Sequence, residues 1–122
     1  MTDPVPANGG WCVQLALESV DGSEPDLKEL LEIWLRMAPQ LLSDIRSALE
    51  TDDAEKLVLA AHTLKGSASL FCGEAVVAAA WKLESMGREG RLQDAKAACA
   101  ALETEGQRLL DALEAQLRTL SA

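Results

Sequence analysis

A chain of 122 residues, 48% apolar and 25% charged, has the size and composition of one folded domain. Its longest apolar run, Ala75 to Trp81, falls far short of the roughly 20 residues that cross a bilayer, and its formal charge of −9 repels phosphate backbones and anionic lipid, so neither a membrane nor a nucleic acid is an expected partner. Three cysteines without framework spacing, and a first basic residue only at Lys28, point away from a secretory signal and toward the cytoplasm.

Along the chain, residues 1–10 combine two prolines and two glycines with no apolar period and read as a flexible tail, leaving 11–122 as the domain. Trp11 to Val20 fits a short helix presenting Trp11, Leu15 and Cys12, halted at Asp21-Gly22. Ser23 then offers an N-cap and Pro25 a first-turn residue for a longer helix with the stripe Leu27, Leu31, Trp34, Ala38, Leu41, Ile45 and Leu49. Pro39 lies within that stripe, which predicts either a kink near Arg36 or two collinear helices.

Asp52 and Glu55 have capping-box spacing and predict the start of a third helix. Its stripe is Leu57, Ala61, Leu64, Ala68 and Phe71, and it ends near Cys72-Gly73. A fourth helix is expected from about Glu74 to Met86, with Val76, Ala79, Leu83 and Met86 inward and Gly87 and Gly90 closing it. The last, from about Leu92 to Leu120, carries Leu92, Ala95, Cys99, Leu102, Gly106, Leu109, Leu113, Leu117 and Leu120. No segment alternates with period two, so the fold is all-α. Short connections force neighbouring helices antiparallel, which gives an up-down four-helix bundle with a short extra N-terminal helix.

Charge is uneven within this frame. Residues 1–53 carry eleven acids against three bases, whereas 54–122 carry nine acids against eight bases. The nearly neutral half holds the single histidine, His62, and the chain has no tyrosine. Most general acid/base and multi-ligand metal sites therefore lack their parts. At 100° per residue Leu57, Leu64, Ala68 and Phe71 lie roughly 120 to 180° from His62, which places the imidazole on the surface. Lys65, Gly66 and Ser69 share its face one and two turns on, Val58 lies one turn back, and Leu59 flanks it. A glycine inside a helix costs about 1 kcal/mol relative to alanine, so Gly66 suggests close approach of something to the backbone. The face suits a nucleophilic imidazole that receives a compact anion and docks against another protein.

The string Ala61-His62-Thr63-Leu64-Lys65-Gly66-Ser67-Ala68, followed by Phe71, Leu83-Glu84 and Gly87, closely resembles the histidine-containing phosphotransfer (HPt) domains of bacterial two-component phosphorelays. The likeness runs from about Asp26 to Leu120 and takes in Ala38-Pro39 and the Gly-Arg-Glu-Gly turn at 87–90. Cys72 stands where the family usually has glycine. The resemblance implies that His62 is the phosphoacceptor, attacking a receiver-domain aspartyl phosphate, and that Lys65 offsets the phosphoryl charge. It implies further that Gly66 leaves room for the phosphoryl group. On the same helix Ser67 or Ser69 is a candidate to hydrogen-bond phosphate or ring, and Val58 and Leu59 are the candidates for the partner contact.

The expected partners are a response-regulator receiver domain and a hybrid sensor histidine kinase. The domain is expected to be a monomeric carrier that binds no cofactor, with magnesium on the partner receiver. Nothing in the sequence resembles a phosphate loop or nucleotide site, which disfavours an autophosphorylating kinase. A helical binding module without transfer chemistry would have no need of both His62 and Lys65. A cysteine nucleophile is disfavoured because Cys72 and Cys99 fall at or near core positions and Cys12 has no neighbouring base.

Overall fold

The computed structural model describes residues 18, 20–71 and 73–121. The expected tail at 1–10, the expected short helix around Trp11 with Cys12, and Cys72 lie outside the described residues. Four helices follow in order: α1 (Glu24–Glu50), α2 (Ala54–Ala68), α3 (Glu74–Arg88) and α4 (Leu92–Ser121), with one 3₁₀ turn, Ser69–Phe71, after α2. Each helix packs on two others, α1 on α2 and α4, α3 on α2 and α4, so the four close into a bundle. The antiparallel course of α2 and α3 shows in their contacts, where Val58 faces Gly87 and His62 faces Glu84. None of the described helices is long and apolar enough to cross a membrane.

Helix α1 starts as its sequence predicts. Ser23 is the N-cap, its hydroxyl accepting from the Asp26 amide at 3.3 Å, and Pro25 sits in the first turn. The helix continues without interruption through Pro39 to Glu50, which overturns the alternative of two collinear helices. Pro39 is exposed, so the missing donor falls on the solvent side while Trp34, Ala38 and Leu42 hold the buried stripe in phase. Leu42, not Leu41, enters the core because it packs over Gly106 of α4, where an added Cβ would come within 3.3 Å of its Cδ1. Leu41 is half-buried at the edge.

The α1–α2 connection corrects the expected cap. Asp52 adopts a left-handed conformation (φ 53°) and the Asp53 amide donates to the Ala48 carbonyl at 2.8 Å, a Schellman-type closure of α1. Asp53 is therefore the N-cap of α2, accepting from the Lys56 amide at 3.1 Å, and the third residue on is Lys56 rather than Glu55. No capping box forms. Gly90, at φ 73°, closes α3 in the same way, with the Arg91 amide on the Met86 carbonyl. Gly87, expected to help end the helix, is instead buried within it.

The α2 stripe is buried as the periodicity requires: Leu57, Ala61, Leu64, Ala68 and Phe71. Trp34 meets Phe71 edge to face, ring centroids 5.8 Å apart. In α3 the inward positions are Val76, Ala80, Leu83 and Gly87, with Ala79 and Met86 half-buried, because the helix turns its Ala80–Gly87 edge toward α2. In α4, Ala95, Cys99, Leu102, Leu109 and Leu113 are buried, whereas Leu117 and Leu120 are half-buried toward its C-terminal end.

Candidate functional site

Two buried contacts bring α2 and α3 together beneath His62. An added Cβ on Gly87 would lie 2.8 Å from Val58 Cγ2 and 3.3 Å from Leu57 Cδ2. A side chain at 87 would therefore wedge the helices apart, and glycine lets α3 close onto α2. One turn back along α3, the same approach carries Glu84 to His62. Glu84 is only 6% exposed and is the one buried charged residue among those described.

The imidazole is 59% exposed at its side chain, as the helical phase predicts. Its Nδ1 lies 3.2 Å from both carboxylate oxygens of Glu84. Lys65 Nζ stands 2.8 Å from Glu84 Oε1, and Arg88 places Nη2 at 2.7 Å and Nε at 3.2 Å from Oε2. A carboxylate removed from water requires such partners. The Lys65 ammonium first, then the Arg88 guanidinium and His62, hold the Glu84 carboxyl down at about 2 against the opposing effect of burial. Since an ionised carboxylate only accepts, Nδ1 carries the ring hydrogen of a neutral His62. Among the described residues, Nε2 has no intramolecular partner.

These contacts add to the expected site. Lys65 is paired with Glu84, and a second cation, Arg88, not among the residues expected at the site, holds the same carboxylate. With a neutral ring the cluster has one carboxylate against two fixed cations, a local surplus of one positive charge. Its signal in the sequence was Glu84 itself, an acid adjoining the Ala80–Leu83 stripe with an arginine four residues on.

The remaining expected residues separate by direction. Leu59 is 69% exposed and, with Ala54, Glu55, Val58, His62, Gly87 and Arg88, lines an open depression of about 460 Å³ beside the ring. Val58 is half-buried, its methyl against Gly87. An added Cβ on Gly66 would meet nothing within 4 Å, so no contact inside the domain demands glycine there. Ser69 is exposed on the His62 face, its hydroxyl donating to the Gly66 carbonyl at 2.7 Å. Ser67 corrects its expected role. It points toward α1, where its Oγ accepts from the Trp34 indole at 3.1 Å and donates to the Leu64 carbonyl. Cys99 is a buried thiol pushed up by desolvation, as expected of a core cysteine. Among the described residues no three His, Cys, Asp or Glu side chains gather as metal ligands.

The Hpt domain family model matches residues 29–120 of this chain. In structure the chain is similar to histidine-containing phosphotransfer protein B (HptB) from Pseudomonas aeruginosa PAO1, with a TM-score of 0.83 at 22% identity over 90% of this chain and 96% of that one. It is also similar to the HPT domain from the Hpt sensor hybrid histidine kinase of Shewanella, with a TM-score of 0.81 at 20% identity over 93% and 98%. No curated protein matches the sequence. At these identities the structural likenesses establish the fold, and the family match, spanning nearly all of the four helices, supplies the rest. The chain belongs to the Hpt domain family and is a histidine phosphotransfer module of two-component phosphorelays, a phosphocarrier that works with receiver domains and histidine kinases rather than an enzyme.

Proposed function

We propose that His62 is the phosphoacceptor and that Nε2 is the atom that carries the phosphoryl group. The observation that supports this most directly is the pairing of Nδ1 with Glu84, which fixes the tautomer and leaves the Nε2 lone pair directed away from the domain. Docking brings the phosphorus of a receiver aspartyl phosphate in line with that lone pair. The N–P bond forms as the P–O bond to the aspartate breaks, and the aspartate departs as a carboxylate. No proton has to move. The ring becomes cationic while keeping its Nδ1 hydrogen, and Glu84 stabilises that charge. The reverse reaction follows the same path to another aspartate.

Lys65 and Arg88 supply positive charge where the phosphoryl oxygens arrive. The full attraction at 4 Å and an effective dielectric of 20 is about 4 kcal/mol, and exposed pairs retain nearer 1 kcal/mol. Gly66 leaves the adjoining surface clear, Ser69 offers a hydroxyl on the same face, and Val58 and Leu59 form the apolar contact of the depression. In this reading the domain is a cytoplasmic monomer that binds no cofactor. Magnesium and the reacting aspartate reside on the response-regulator receiver, and a hybrid sensor histidine kinase is the upstream donor. Transfer from a phosphorylated receiver tests the assignment: the label is acid-labile, alkali-stable and confined to the peptide holding His62. A label on any other residue contradicts it.

A further inference from the structure

The aromatic residues of this chain are few, three tryptophans and one phenylalanine. Trp34 and Phe71 spend theirs on the core, where they meet edge to face. Trp81 does not: it is 55% exposed on α3. An isolated exposed apolar residue calls for no explanation, but the position of this one is constrained by the chemistry beside it. On α3, Trp81, Glu84 and Arg88 fall within a 60° arc at 100° per residue, about 4.5 Å of rise separating Trp81 from Glu84. Glu84 touches the imidazole and Arg88 lines the depression beside it. Trp81 thus flanks His62 on the α3 side, opposite Arg88, while Leu59, 69% exposed, flanks it on α2.

Transfer between an aspartate and His62 requires the two proteins to meet face to face at the ring. A standard interface covers on the order of 800 Å² per partner, a disc roughly 16 Å in radius. Centred on His62, such a disc includes Trp81. Tryptophan is among the residues most enriched at the energetic centres of interfaces, because its large rigid surface is desolvated at small entropic cost.

We propose that Trp81 is a docking anchor for the receiver domain, received by an aliphatic patch next to the partner's phosphoaspartate, and that it sets partner affinity without taking part in the transfer step. This rests on the phosphocarrier reading above. The occupant is the receiver, because the footprint argument applies to a protein that exchanges phosphorus with His62. Leu59 and the depression complete an apolar rim around a charged centre, which a partner with aliphatic side chains around an anionic aspartyl phosphate complements.

The experiment is single-turnover transfer to the full chain from a receiver domain charged with acetyl phosphate, followed over a range of receiver concentrations, for wild type, Trp81→Phe and Trp81→Ala. Trp81→Ala raises the half-saturating receiver concentration about thirtyfold and leaves the rate at saturation within twofold of wild type, which also reports an intact fold. Trp81→Phe falls between the two. A rise of less than fivefold for Trp81→Ala, or a loss confined to the saturating rate, overturns the proposal while leaving the phosphocarrier reading in place. A wild-type chain that takes no label from any of a panel of receivers overturns both.

Discussion

Glu84 holds the Nδ1 edge of His62 at 3.2 Å from each of its oxygens, and the same carboxylate is gripped by Lys65 and Arg88. Glu84→Gln retains the size of the side chain and removes its charge. The expected result is transfer slowed about tenfold, with the Nδ1–H tautomer losing its dominance in the nitrogen NMR spectrum of His62. A variant with wild-type tautomer populations contradicts the positioning role of Glu84.

The same carboxylate makes an acid-sensitive contribution to stability. Its value in the folded protein, about 2, lies below the free value of 4.5. Its contribution is therefore complete above 4.5 and is lost as pH falls from there through about 2. Denaturant titrations over that window should show a shallower loss of stability for Glu84→Gln than for wild type. Identical slopes contradict this origin of the acid sensitivity.

Two glycines separate chemistry from folding. Gly66→Ala adds a methyl group into open space and removes a helix-interior glycine, so it stabilises the domain by up to about 1 kcal/mol while slowing transfer. Gly87→Ala drives a methyl against Val58 and Leu57 and destabilises by roughly 1 to 3 kcal/mol. Chemical denaturation of both variants, together with transfer rates, checks the pair. Faster transfer by Gly66→Ala contradicts the clearance assigned to that position.

The difference between these glycines marks where sequence reasoning stops. Helical phase was enough to bury Leu57, Leu64 and Phe71, to put His62 outside, and to order four helices with short turns. Phase cannot show how closely two helices approach, and that distance decides that Gly87 is a packing residue rather than a terminator and that Glu84 reaches across to the ring. The cap register between α1 and α2 slipped by one residue for a similar reason. Asp52 and Asp53 are equivalent in composition, and only the left-handed closure of α1 at Asp52 leaves Asp53 to cap α2. Ser67 and Ser69 likewise differ in role because two residues on a helix turn through 200°, carrying one toward Trp34 and the other toward solvent.

Ser67→Ala isolates that distinction. Loss of the acceptor for the Trp34 indole costs about 1 to 2 kcal/mol of stability, and transfer from a receiver remains at the wild-type rate. A selective fall in transfer with stability unchanged would return Ser67 to the phosphate-binding role.

Lys65→Ala removes the ammonium closest to Glu84 and should slow transfer and shorten the life of the phosphorylated form by severalfold, with helicity unchanged in circular dichroism. A transfer rate equal to wild type contradicts the electrostatic role given to Lys65.

The central claim, that the phosphoryl group resides on His62, is tested most directly by single-turnover transfer from a radiolabelled receiver domain to wild type and to His62→Gln. The wild-type chain acquires an acid-labile, alkali-stable label and the variant, folded to the same helicity, acquires none. Label retained by His62→Gln contradicts the account.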